Sequence, residues 1–146
     1  MKAGALQICV RNLQRKVRVD VVDLEEFARN AMALCLGLPN TKTIDLEMLS
    51  EVSVLIVSDR RMASLHRRFM NVPGSTDVIT FQHGEIFISA ETAVRNARRF
   101  ATALTHEFRL YIVHGLLHLS GFDDRTEAAA RKMRAIQEKI LAKVAL

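Results

Sequence analysis

The segment from Phe108 to Leu119 is apolar at nearly every position, yet it contains two histidines, His114 and His118. A helix that is apolar all round is normally buried, and a buried imidazole needs a polar partner. Residues four apart on a helix share one face, with Cβ atoms about 5–6 Å apart. The segment therefore predicts a buried central helix whose two imidazoles could converge on one metal ion.

The residues that follow this helix supply a turn and a third ligand. Gly121 can end the helix, because glycine adopts a positive φ without steric cost. The chain can then turn back so that Asp124, six residues after His118, reaches the ion. Two imidazoles and one carboxylate leave one position of a zinc ion open, as in catalytic sites. The sequence therefore predicts one Zn²⁺ per chain, bound by His114, His118 and Asp124, although these ligand types also suit Fe(II).

The residue after the first histidine limits the chemistry. The spacing His-x-x-x-His-x-x-Gly-x-x-Asp is also that of metzincin proteases, which need a glutamate directly after the first histidine as general base. Gly115 occupies that position here, and glycine cannot transfer a proton. Peptide hydrolysis by that route is disfavoured, whereas a metal can still polarise a phosphoryl or carbonyl oxygen and activate water. The nucleophile, a metal-bound water or a hydroxyl group of the substrate, stays open at this stage.

Three acidic residues are further candidates for acid–base catalysis: Asp77, Glu107 and Asp123. Each also has a structural interpretation. Asp77 could close a turn before a strand, and Glu107 could favour the start of the helix or orient a histidine. Asp123 could form an Asx turn.

The charge balance favours a polyanionic partner. The chain has 21 Lys and Arg against 16 Asp and Glu, a net charge of +5, and a pI near 9.7. Such a balance is typical of nucleic-acid-binding proteins but is weak evidence alone, and solvated helix faces explain the arginine clusters equally well. The candidate RNA-binding residues form two clusters: Arg60, Arg61, Arg67 and Arg68, and then Arg95, Arg98 and Arg99.

The motif around the histidines resembles that of a known family. His-Gly-x-Leu-His-Leu-x-Gly-aromatic-Asp, from His114 to Asp123, is similar to the YbeY family of bacterial rRNA maturation factors. The segments Thr76–Phe81 and Gly84–Ser89 add to the resemblance. The resemblance implies a cytoplasmic, metal-dependent endoribonuclease that acts on single-stranded regions of rRNA precursors, with the ribosome or ribosomal proteins as further partners.

Two positions depart from the family pattern. Asp124 stands where the family usually has a third histidine, and Phe69-Met70 stands where members often have Tyr-Arg. Two other functions therefore stay open. One is a metallohydrolase of another substrate, such as a protease-like enzyme. The other is a non-catalytic ribosome-associated factor with a structural metal.

Length and patterning predict one domain, residues 1–146, of the α+β class (mixed α/β). We expect a small mixed four-stranded sheet layered with about five helices, including a zincin-like metal helix. No apolar run suggests a membrane span or a signal peptide, and Cys9 and Cys35 are expected to be buried free thiols of a reducing cytoplasm. The predicted strands are 6–12, 51–57, 78–81 and 85–88, and the predicted helices are 20–36, 60–69, 91–104, 105–119 and 126–144.

Overall fold

The computed structural model describes residues 6–38 and 45–144. None of the helices in those two ranges is long and apolar enough to cross a membrane. The predicted α+β class with a four-stranded mixed sheet is confirmed, and a one-turn helix, α2, lies in a connection for which the sequence predicted no form. The elements are β1 (Gln7–Asn12), α1 (Val21–Leu36), α2 (Asp45–Met48), β2 (Glu51–Val57), α3 (Asp59–Met70), β3 (Val78–Phe81), β4 (Glu85–Ser89), α4 (Ala90–Phe100), α5 (Leu104–Leu119) and α6 (Glu127–Val144).

The sheet has the strand order β1-β2-β4-β3. Strands β1, β2 and β4 are parallel, and β3 is an antiparallel edge strand that forms a hairpin with β4. Gly84 in the hairpin turn has a φ of 112°. A Cβ there would lie 2.6 Å from the carbonyl oxygen of Glu51, so this close approach requires glycine.

Helices cover both faces of the sheet. Alternate residues of a strand point to opposite faces, and β4 follows this rule: Ile86 and Ile88 belong to the larger core, which includes α5, whereas Phe87 belongs to a smaller core with Met62 of α3. Helices α1, α4 and α6 surround α5 on the larger-core side. The predicted metal helix is therefore central and buried, with the sheet beneath it.

The boundary between α4 and α5 differs from the prediction. The sequence predicted that α4 continues to residue 104 and that the metal helix begins at residue 105. Instead, α4 ends at Phe100 and α5 begins at Leu104, after Ala103, which makes no side-chain cap. Ala101 adopts a left-handed conformation, with φ 54°, which ends α4 four residues early.

A buried polar network explains this early turn. The carboxylate of Glu107 is buried and accepts hydrogen bonds from Thr102 Oγ1 at 2.7 Å and from the Tyr111 hydroxyl at 3.1 Å. Asn96 of α4 donates to the same hydroxyl at 2.8 Å. Burial of a carboxylate is costly without such donors. The α4–α5 turn places Thr102 where its hydroxyl can donate to the carboxylate of Glu107.

The two cysteines differ in burial. Cys35 is buried as predicted, and burial raises the pKa of its thiol to about 12. Cys9 is only partly buried, contrary to the prediction, because it lies on the opposite face of the edge strand β1 from the inward-facing Ile8 and Val10.

Candidate metal centre

The two histidines of α5 point at each other across one helical turn. Nε2 of His114 and Nε2 of His118 are 3.1 Å apart, and the ring planes are nearly perpendicular, at 78°. Two Zn–N bonds of 2.0–2.1 Å that meet at a tetrahedral angle hold their nitrogens about 3.3–3.4 Å apart. The pair is therefore already close to the spacing that zinc requires.

The turn after α5 returns the chain towards these rings. Gly121 has a φ of 97° and donates from its N–H to the carbonyl of His118 at 3.1 Å, while Phe122 donates to the carbonyl of Leu117 at 3.0 Å. This pair of bonds is the Schellman arrangement. Glycine at the left-handed position therefore ends the helix as predicted.

The turn brings Asp124 to the histidines. One carboxylate oxygen of Asp124 and one ring nitrogen of each histidine all lie within 4.8 Å of one another. The carboxylate would need to move inward by up to about 1.5 Å to complete a tetrahedral site, and its exposed position allows this movement. The three predicted ligands are thus brought together with a donor set that suits zinc, and metal binding itself stays a prediction.

Gln137 of α6 holds the outer side of His114, a contact that the sequence analysis missed. The Nδ1 of His114 lies 3.0 Å from the side-chain oxygen of Gln137. An amide oxygen only accepts hydrogen bonds, so Nδ1 carries the proton and Nε2 keeps its lone pair on the side of His118. A hydrogen bond of this kind fixes the tautomer and orientation of a ligating histidine.

Burial lowers the pKa of His118, and the neighbouring His114 lowers it further. The negative charge of Asp124 raises this pKa, as do a hydrogen bond to the backbone of Phe122 and the charge of Asp123. Together they do not reverse the lowering. The neutral imidazole is the form that binds metals. The surroundings of His118 therefore favour the ligating form.

Two cavities meet at Asp124. The wider one, about 660 Å³, is lined by His118, Asp124 and residues of the hairpin turn and of the loop after α5, including Gln82 and Arg125. The smaller one, about 110 Å³, is lined by His114, Asp124, Ala130, Met133, Arg134 and Gln137. The three candidate ligands therefore lie at a junction, where the two cavities adjoin at Asp124.

The structure gives each of the three acidic candidates a local partner. Asp77 accepts a hydrogen bond from the N–H of Val78 at 2.8 Å, as expected for a residue that closes a turn before a strand. Glu107 lies about 10 Å along the helix from His114, and its carboxylate accepts hydrogen bonds from Thr102 and Tyr111. Asp123 accepts from the N–H of Arg125 at 3.1 Å, an Asx turn, and is the only one of the three that lines the wider cavity. Their catalytic roles stay predictions.

The predicted arginine clusters are exposed but lie apart from this junction. Arg60, Arg61, Arg67 and Arg68 lie on α3, across the sheet from α5, and none of the seven arginines lines either cavity. Arg95 forms an ion pair with Asp59 at 2.7 Å. RNA binding by these residues stays a prediction.

Gly115 lies at the contact between α5 and the sheet. A Cβ at this position would lie 2.7, 2.8 and 2.9 Å from Cδ1, Cγ2 and Cγ1 of Ile86. The site that would carry the general base of a metzincin protease thus has no room for a side chain. The packing of the helix explains why glycine follows the first histidine.

Comparisons with known proteins identify the family. The model of the family described as "Endoribonuclease YbeY" matches residues 9–145. The chain is 35% identical over 111 residues to the endoribonuclease YbeY of Thermobifida fusca (strain YX), covering 64% of this chain and 72% of that protein. It is 38% identical over 94 residues to that of Anaeromyxobacter sp. (strain Fw109-5), covering 58% and 49%, and 37% identical over 116 residues to that of Moorella thermoacetica, covering 66% and 74%.

The fold has a match among solved structures. The solution structure of TM1509 from Thermotoga maritima superposes with a TM-score of 0.60 at 21% identity, covering 95% of this chain and 91% of that one. At this identity the likeness supports the fold alone, and the sequence comparisons carry the relationship. The chain belongs to the endoribonuclease YbeY family, which confirms the family and the class of enzyme predicted from its sequence.

Proposed function

We propose that the protein is a zinc-dependent endoribonuclease that cleaves single-stranded regions of rRNA precursors during ribosome maturation. One observation carries the metal-dependent part of this proposal: the ligand atoms of His114, His118 and Asp124 converge within 4.8 Å at the junction of two open cavities. Family membership supports RNA as the substrate, and the excess of 21 basic over 16 acidic residues is consistent with it. The rRNA target, the ribosome as a partner and a cytoplasmic location rest on the family resemblance.

In this proposal the residues of the chain have distinct roles. His114 and His118 would bind the ion through Nε2, Asp124 would bind it through a carboxylate oxygen, and Gln137 orients His114. A bound zinc ion would supply Lewis acidity towards a phosphoryl oxygen and towards water. Gly115 offers no group that moves a proton, which disfavours peptide cleavage by the metzincin route.

A metal and cleavage assay with matched variants tests the proposal. The zinc-loaded protein should cleave a single-stranded RNA oligonucleotide, and a chelator should abolish cleavage. His118→Ala should lose at least about tenfold in zinc affinity, whereas His106→Ala should not, because His106 is exposed on the same helix and lines neither cavity.

The Asp pair at the turn provides a second comparison. Asp124→Ala should lose zinc, whereas Asp123→Ala should keep it, since the Asp123 carboxylate is occupied by its Asx turn. RNA binding without cleavage under any metal would support the non-catalytic alternative. Cleavage of casein by the zinc-loaded protein would support the protease-like alternative.

A further inference from the structure

The smaller cavity at the metal centre is lined by an arginine, Arg134, that was not among the candidate residues predicted from the sequence. Arg134 of α6 lines this space together with two of the candidate ligands, His114 and Asp124. Its volume of about 110 Å³ would hold roughly three or four water molecules at their liquid volume. A tetrahedral phosphoryl group fits in that space. We propose that Arg134 contacts the scissile phosphate of the RNA; this inference rests on the proposed function.

The guanidinium of Arg134 is available for such a contact. Among residues 6–38 and 45–144 it takes part in none of the ion pairs, which use Lys16, Arg29, His83, Arg95 and Arg109 as their cations. The other polar side chain contributed by α6, Gln137, is engaged with His114. Arg134 is thus the group of α6 that is left to meet an anion in this cavity.

The charge of the site supports a cation at this position. Asp124 contributes a negative charge where three neutral imidazoles would contribute none, so zinc with these ligands has a net charge of only +1. A phosphodiester carries one negative charge and gains more during nucleophilic attack. A guanidinium beside the phosphate would offset that charge, and its planar fork matches phosphate oxygens in two parallel hydrogen bonds.

Two other positions, 70 and 125, fit this role less well than Arg134. Met70, which stands where the related family often has an arginine, lines neither cavity. Arg125 lines the wider cavity, but the carboxylates of both Asp123 and Asp124 line that cavity too. In the smaller cavity the only lining carboxylate is that of Asp124, which is itself a candidate metal ligand.

Kinetics of the zinc-loaded, full-length protein on a single-stranded RNA oligonucleotide test the proposal. Arg134→Ala should lower kcat/KM by about 10- to 100-fold, the effect of removing a hydrogen bond to a charged group, because the contact is made to the bound phosphate and is kept in the transition state. Arg134→Lys should lose less, because it keeps the charge but not the fork. Arg131→Ala is the matched control: Arg131 is exposed on the same helix, lines neither cavity and carries the same charge. Zinc content should stay unchanged in all three variants.

A second readout separates this inference from the proposed function. Calorimetric titration of the zinc-loaded proteins with inorganic phosphate should show about tenfold weaker binding for Arg134→Ala than for Arg131→Ala. If the wild-type protein cleaves no RNA, the proposed function fails, and this titration alone still decides whether Arg134 holds a phosphoryl group. Equal effects of the two substitutions, or a loss of kcat/KM in Arg125→Ala instead, would overturn the assignment.

Discussion

The substitution Gly115→Ala measures how tightly the metal helix packs on the sheet. The added methyl would lie 2.7–2.9 Å from three side-chain atoms of Ile86, closer than nonbonded carbon atoms approach. Ile86 is fully buried and β-branched, so it cannot rotate away freely. Overpacking of this kind costs about 1–3 kcal/mol, while alanine gains about 1 kcal/mol over glycine in a helix interior. We expect a net loss of up to about 2 kcal/mol in the free energy of unfolding.

The close contact predicts that the effect of Gly115→Ala on the free energy of unfolding changes sign when Ile86 is replaced by alanine. Ile86→Ala removes all three clashing atoms, at a cost of about 2–5 kcal/mol by itself. In that background Gly115→Ala should stabilise the protein by about 1 kcal/mol, because the helix preference remains and the methyl fills part of the gap. Ile86→Val is the matched control, since it removes only Cδ1 and leaves two of the three close contacts.

Urea unfolding of the four metal-free proteins in the Gly115/Ile86 cycle gives the coupling energy. We expect a coupling energy of about 1–3 kcal/mol between positions 115 and 86. Metal-free protein is required, because a change in metal affinity would otherwise enter the unfolding free energy. Additive effects, or a stabilising Gly115→Ala in the wild-type background, would refute the close-packing argument.

Two further predictions concern residues that hold the site and the fold in place. Gln137→Leu should weaken zinc binding about tenfold in competition with a chromogenic chelator, because His114 loses its acceptor; unchanged affinity would show that packing alone orients the ring. Asp59→Asn should lower the unfolding free energy by about 1–3 kcal/mol at pH 7, because the ionised carboxylate is stabilised in the folded protein. Burial raises the pKa of Asp59, but hydrogen bonds from Arg95, Ser89 and Thr92 outweigh burial and hold that pKa below its usual range. Since the folded-state pKa is depressed, this contribution to the free energy of unfolding is fully present above about pH 4 and shrinks as the pH falls further. Urea unfolding should therefore give free energies of unfolding for the two proteins that converge in acid. A difference that stays constant with pH would count against the ion pair.

Features that depend on neighbouring residues were predictable from the sequence. Asp20 and Ser58 cap α1 and α3 through hydrogen bonds to backbone N–H groups three residues later, and Gly121 ends α5 in the left-handed conformation. The same local rules predicted that Asp124 returns to the two histidines. Each of these features needs only a few consecutive side chains and the backbone.

Features that depend on distant packing were not predictable in this way. Ala101 adopts a positive φ although nothing in its residue type favours it, because Thr102 must reach the buried carboxylate of Glu107. The helical spacing of Met133 and Ile140 in the sequence indicates which face of α6 is buried. It did not indicate that Gln137 and Arg134 lie beside the metal centre, because that depends on how α6 crosses α5.

Gly115 connects the packing of the fold with the chemistry of the site. The sequence identified it as the position where a metzincin protease has its glutamate, and the structure adds that Ile86 occupies the space such a side chain would need. A glutamate there would push α5 away from β4 and displace the adjacent His114 from its hydrogen bond with Gln137. The substitution Gly115→Glu alone should therefore disturb the metal site without creating a protease. The distance between the metal helix and the sheet thus excludes a general base at this position, and a cleavage mechanism has to draw its charged groups from other elements, such as α6.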